Sequence, residues 1–289
     1  MNKFAVIDIG SNSVRLMMIA GGKVLYKTIK TTRLGEGLAF SCELCEAAKT
    51  RTLEALTAFV NQAKSEGAKK IVAFATAAMR SAKNGFEFAR FVENEIGLKI
   101  EIISGEEEAQ IGILGALGKN DGSIIDIGGA STELIVQKNG EITYRKSLDI
   151  GVVRIRDICQ RSQPKTRTLS VDTVKEYGEP QLYGKAYAIG GTATTIAALL
   201  LNLDKYDREA VSKTVVTRAQ VRALADELFS KTVEEISSHP CVDALRADVL
   251  AGGVEWLYAI LEYLNVDEIH VSDGDNLEGY AISRGMLHS

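Results

Sequence analysis

Twice along the chain an apolar run ends in Asp-Ile-Gly and reaches a serine three residues after the glycine. The first is Ala5-Val6-Ile7-Asp8-Ile9-Gly10-Ser11-Asn12-Ser13, and the second is Ser123-Ile124-Ile125-Asp126-Ile127-Gly128-Gly129-Ala130-Ser131. Residues of these types suit phosphate chemistry. A tight Gly/Ser turn brings backbone N–H groups to one point, and such concavities bind anions. Glycine lets a phosphate come close to the backbone, and the hydroxyls of Ser11, Ser13, Ser131 and Thr132 add donors. Arg15 follows the first turn, and a guanidinium grips phosphate bidentately. Strand alternation places Ser13 and Arg15 on one face. Asp8, Asp126 and Glu133 add carboxylates beside the turns. Magnesium commonly combines one or two carboxylates with substrate phosphate, although Asp also serves simply to tie down turns.

Two further segments carry functional residue types. Ser104-Gly105-Glu106-Glu107-Glu108-Ala109 offers a glutamate as a general base, and equally reads as a capped helix start with acids in its first turn. Tyr187-Ala188-Ile189-Gly190-Gly191-Thr192 is a third glycine turn, leading from a strand into a helix. Helix N-termini attract phosphate, and close helix–strand packing accounts for the same glycines.

The elements that must position these residues alternate along the chain. Lys3 to Asp8, Val14 to Ala20 and Lys23 to Ile29 read as strands, the last two joined at Gly21-Gly22 as a hairpin. Cys45 to Ser65 has helical periodicity. Strands at Lys70 to Ala75 and Leu98 to Ile103 flank a helix at Gly85 to Ile96, and a further helix runs from Glu106 to Leu117. The polar stretch Gly118-Lys119-Asn120-Asp121-Gly122 reads as a boundary. After it the pattern restarts with strands at Ser123 to Ile127, Thr132 to Gln137 and Ile142 to Leu148. A strand at Lys185 to Ile189 then leads into a helix from Thr192 to Leu201. Helical residues from Val242 to Leu264, a strand at Glu268 to Ser272 and a helix from about Leu277 close the chain. The two Asp-Ile-Gly turns lie about one domain's length apart, as a duplicated unit requires. The expected domains are 1–118 and 119–276, with the closing helix of 277–289 packing back on the first.

Composition narrows the class. Of 289 residues, 46% are hydrophobic and 25% charged, which is globular. A formal net charge of -4 argues against a surface built for nucleic acid. No apolar run reaches the roughly 20 residues of a membrane helix, and Asp8 cuts the first apolar stretch too short for a signal peptide. The expectation is a cytoplasmic enzyme with no nucleic-acid or membrane partner. Cys42 and Cys45 form a C-x-x-C without a second pair at zinc-ribbon spacing. Together with Cys159 and Cys241 they read as ordinary reduced thiols.

Taken together, the segments Asp8 to Leu16, Ala75-Thr76-Ala77-Ala78-Met79-Arg80, Ile103 to Ala109 and Asp126 to Glu133 resemble the exopolyphosphatase/guanosine pentaphosphate phosphohydrolase family, within the actin-like superfamily. The Gly190-Gly191-Thr192 turn, Leu245-Arg246-Ala247-Asp248 and Val271-Ser272-Asp273 match later blocks of that family in the right order. The resemblance implies an α/β protein of two ribonuclease-H-like domains, each a mixed sheet with flanking helices, and a cleft between them. It implies release of terminal phosphate from inorganic polyphosphate or from the 5′ end of guanosine pentaphosphate, and family members are often dimers. It assigns Glu108 as the base that takes a proton from the attacking water. Asp126 and Glu133 become ligands of magnesium or another hard divalent cation, with Asp8 close by through the duplication. Phosphate falls on Gly10, Ser11, Asn12, Ser13 and Arg15, on Gly128, Gly129, Ser131 and Thr132, and on Gly190, Gly191 and Thr192. Arg80 and Arg246 match arginines near the cleft.

The sequence also departs from the family pattern. Ala130 replaces the third glycine of the second loop. Asp275-Asn276-Leu277-Glu278-Gly279 stands where G-L-R-E-G is common, so that arginine is absent. Longer members carry additional helical domains that extend the polyphosphate surface, so the expectation here is a preference for short polyphosphate. Two other classes compete with the hydrolase: an actin-like kinase acting on a small acceptor, and a non-catalytic alarmone-binding module.

Overall fold

The computed structural model describes residues 2–118 and 120–288. Lys119, the first residue of the expected second domain, lies outside the described residues, as do Met1 and Ser289. The chain forms two compact units. One comprises the residues up to Gly118 together with those from Asn276 onward, and the other runs through to Asp275.

The first unit is built on a five-stranded sheet. Its strands are β1 (Lys3–Ile9), β2 (Ser13–Ala20), β3 (Lys23–Thr31), β4 (Ala68–Ala75) and β5 (Ile100–Ile102), in the order β3-β2-β1-β4-β5. β1, β2 and β3 pair antiparallel, whereas β4 and β5 join parallel to β1. The continuous apolar run of β1 follows from burial on both faces. Ala5, Ile7 and Ile9 enter one core with Leu56 and Phe59 of the Glu46–Ser65 helix. Val6 enters another with Met17, Phe74, Ile111 and Leu277. That second core is closed by the Asn276–Ser283 helix. It packs on the Gly105–Ala116 helix so closely that a Cβ at Gly279 would stand 1.7 Å from the Ile111 carbonyl oxygen.

The second unit repeats the plan with one strand more. β6 (Gly122–Ile127), β7 (Thr132–Lys138), β8 (Glu141–Leu148), β9 (Ala186–Ile189), β10 (Val215–Thr217) and β11 (Glu268–Val271) lie in the order β10-β11-β9-β6-β7-β8. β6, β7 and β8 are antiparallel, and β9 and β11 continue parallel to β6. β10 was not legible in the sequence, because three residues are too few to show alternation. The long Ala247–Tyr263 helix contributes Trp256, fully buried, whose indole N–H donates to the Thr132 hydroxyl at 2.9 Å. That hydroxyl donates in turn to the Ile150 carbonyl at 2.6 Å. The long helical stretch foreseen from Val242 begins instead as a 3-10 turn at Ala244–Arg246.

Among the described residues no helix is long and apolar enough to cross a membrane.

Candidate active site

In each unit the singled-out residues gather at the carboxyl ends of the parallel strands, where open α/β sheets place their ligands. In the first unit β1 ends beside Asp8 and β4 runs into the Ala77–Ser81 helix carrying Arg80. β5 leads to Ser104, which caps the helix carrying Glu108.

The three consecutive glutamates have separate fates because successive helical side chains point about 100° apart. Glu107 closes a capping box: its backbone N–H donates to Ser104 Oγ at 3.1 Å, and its carboxylate accepts from the Ser104 N–H at 3.2 Å. Glu106 is exposed. Glu108 alone turns inward and is only 6% exposed. Its Oε2 accepts from Arg80 Nη1 at 2.8 Å, and the same nitrogen holds the Ile103 carbonyl at 3.1 Å. Burial pushes the Glu108 carboxyl above the ordinary glutamate range. The charge and hydrogen bond of Arg80 oppose this, and the negative charge of Asp8 reinforces it. A buried carboxylate with a raised pKa, oriented by a guanidinium, has the character of a general base.

Asp8 and Arg15 are direct register partners across β1 and β2. Arg15 Nε donates to Asp8 Oδ2 at 3.0 Å, and Nη2 donates to the same oxygen. In the adjoining turn the Gly10 N–H donates to the Ser13 carbonyl at 3.0 Å. The Asn12 carbonyl is taken by the N–H groups of Thr32 and Arg33, and that of Ser11 by Gly35. The carbonyls of Ser11, Asn12 and Ser13 are thus all taken by backbone N–H groups. Both polar atoms of the Asn12 amide are buried without a protein partner, and groups so placed call for water or a ligand.

The second unit reproduces this turn. The Gly128 N–H donates to the Ser131 carbonyl at 3.0 Å, and the carbonyls of Gly128 and Gly129 receive the N–H groups of Val152 and Val153 at the start of the Val152–Cys159 helix. Asp126 stands directly across from Glu133, and Glu133 across from Ser147. Ser147 Oγ donates to Glu133 Oε1 at 2.7 Å. Sequence reading missed Ser147; only the three-strand register reveals it. Thr132 lies on the opposite face, its hydroxyl committed to the core as described above. Ala130 is 1% exposed, so its methyl group is accommodated within the turn.

At the third turn Gly190 adopts φ +79°, and a Cβ there would lie 2.8 Å from Asp126 Oδ1. At Gly191 a Cβ would lie 2.1 Å from Arg246 Nη2. The two glycines thus bring the Gly190–Leu200 helix start against a carboxylate and a guanidinium of the same unit. Thr192 is buried.

A hard divalent cation takes oxygen ligands. Among the described residues no three His, Cys, Asp or Glu side chains form a group able to hold a metal. Asp126 and Glu133 are register partners and so share a sheet face. Two carboxylates suffice for magnesium when phosphate and water complete the shell. The residues present therefore fit magnesium bound jointly with substrate.

The chain is similar to known phosphatases in sequence and in fold. The profile of the Ppx/GppA phosphatase family matches residues 17–288. Exopolyphosphatase 2 of Mycobacterium tuberculosis is 28% identical, over 98% of this chain and 98% of its own length. The guanosine-5′-triphosphate,3′-diphosphate pyrophosphatase of Photobacterium profundum is 29% identical over 99% of this chain, which spans 60% of that protein. Among solved structures, the Aquifex aeolicus Ppx/GppA family member superposes with a TM-score of 0.78 at 28% identity, covering 100% of this chain and 99% of that one. From the reach of these matches, the chain belongs to the Ppx/GppA phosphatase family.

Proposed function

We propose that this protein is an exopolyphosphatase that hydrolyses the terminal phosphoanhydride bond of inorganic polyphosphate. The observation that carries the reading is Glu108, the one buried member of three consecutive glutamates, held by Arg80. Glu108 takes a proton from water as the water oxygen attacks the terminal phosphorus. The bridging P–O bond breaks, and its electron pair leaves with the shortened chain. Phosphoryl transfer of this kind is mainly positioning and charge stabilisation. Arg15 and the amides of the Gly10–Ser13 and Gly128–Ser131 turns bind phosphate oxygens, and Arg246 at Gly191 adds a cation. Magnesium held by Asp126 and Glu133 would neutralise charge on the phosphate.

A second reading, hydrolysis of the 5′-terminal phosphate of guanosine pentaphosphate, is favoured by the similarity to the Photobacterium enzyme. Polyphosphate is preferred because the relative matched over nearly its whole length is an exopolyphosphatase. The test is phosphate release with magnesium from short polyphosphate, long polyphosphate and guanosine pentaphosphate in parallel. The proposal expects the highest kcat/KM on a polyphosphate. Faster turnover of guanosine pentaphosphate than of either polyphosphate selects the second reading.

A further inference from the structure

The two Asp-Ile-Gly turns share their fold and differ in charge at one matching place. In both, the glycine N–H donates to the carbonyl of the serine at 3.0 Å. In both, the strand aspartate faces the second strand's residue at the same register. Opposite Asp8 that residue is Arg15, and opposite Asp126 it is Glu133. One copy therefore carries a self-neutralised carboxylate–guanidinium pair, and the other two facing carboxylates.

We propose that the repeats have divided their work, and that Asp8 is a positioning residue for Arg15, outside the metal ligand set. Asp8 is 3% exposed. Its Oδ2 takes the Nε and Nη2 donors of Arg15 together, fixing the guanidinium along one edge. A guanidinium held in this way loses less freedom when it grips a phosphate oxygen, which is the gain from preorganisation. In the second copy Glu133 stands where the first has the arginine, and two facing carboxylates are oxygen donors of the kind a hard cation takes. The proposal rests on the reading that the first turn receives phosphate.

The test separates cation binding from anion binding and requires no turnover. Manganese affinity is read by electron paramagnetic resonance, and tripolyphosphate affinity by calorimetry. Asp8→Asn is expected to leave manganese binding within twofold of wild type and to weaken tripolyphosphate at least fivefold. Asp126→Asn is expected to weaken manganese at least tenfold. A double-mutant cycle adds a readout that general destabilisation does not mimic. Arg15→Gln with Asp8→Asn should bind tripolyphosphate within twofold of Arg15→Gln alone. Loss of manganese in Asp8→Asn equal to that in Asp126→Asn overturns the proposal, as does a double mutant whose losses multiply. If Asp8→Asn fails to fold, Arg15→Lys keeps the charge and loses the Nε–Nη2 edge. It should weaken tripolyphosphate at least fivefold at unchanged manganese affinity, and unchanged tripolyphosphate affinity contradicts the proposal. If wild type binds no tripolyphosphate, the functional reading fails, while the manganese comparison still decides whether Asp8 is a ligand.

Discussion

As the proposed general base, Glu108 must be ionised to accept a proton, so turnover is expected to rise with pH through its pKa. Burial holds that pKa above the ordinary glutamate value of about 4.3. The acidic limb of kcat/KM is therefore expected above that value, and a limb at or below it would contradict the assignment. The same shift has a stability consequence. The folded chain binds this proton more tightly than the unfolded chain does. Stability accordingly falls as pH rises from the unfolded pKa through the raised folded one, and the penalty persists above it. Glu108→Gln should melt at a higher temperature than wild type at neutral pH, with the difference vanishing in acid below the unfolded pKa. Spacing alone left the three glutamates undivided, because separation depends on which side of the helix faces Arg80, some thirty residues earlier in the chain; it was the family resemblance that singled out Glu108. Thr132 shows the converse. Its place in the loop motif suggests a phosphate donor, yet strand alternation turns its hydroxyl to Trp256 and Ile150.

Elements act here through close approaches that only glycine permits. A methyl group at Gly279 would collide with the Ile111 backbone one turn beyond Glu108, and backbone has no rotamer with which to yield. Gly279→Ala should cost about 1–3 kcal/mol or more in stability, measured as a lowered denaturant midpoint. An unchanged midpoint would show that the two helices slide apart freely. At Gly191 the obstacle is the Arg246 guanidinium, the far end of a flexible side chain. Gly191→Ala should therefore fold, displace Arg246 and raise KM for polyphosphate on the order of tenfold, the loss of about one charge-assisted hydrogen bond. Steady-state kinetics checks it, and an unchanged KM would remove Arg246 from phosphate binding. Element positions were largely legible because apolar runs and helical periodicity are local signals. The Gly85–Ile96 helix was read to its ends. Gly279 drew notice only as part of a departure from G-L-R-E-G. The missing arginine is Leu277, fully buried among Val6, Met17 and Phe74, and its place in the core cannot be read from a motif.

At the scale of the whole molecule the chain is one structural idea used twice, and the echo in the sequence exposed it. What the echo concealed is divergence. Arg15 and Glu133 occupy matching positions with opposite charge, a relation visible only when strand register is known. Among the described residues no three His, Cys, Asp or Glu side chains form a group able to hold a metal. Chelation should abolish phosphate release and leave the melting temperature of the substrate-free protein within about 2 °C, because a ligand stabilises only in proportion to its binding. A large drop on chelation would reveal a structural ion. Whether Glu108 activates water is read from single-turnover phosphate release from polyphosphate in Glu108→Gln. A loss of at least about a hundredfold is expected, the contribution of a general base, with polyphosphate affinity within about threefold of wild type. A release rate within tenfold of wild type, at unchanged affinity, would contradict it.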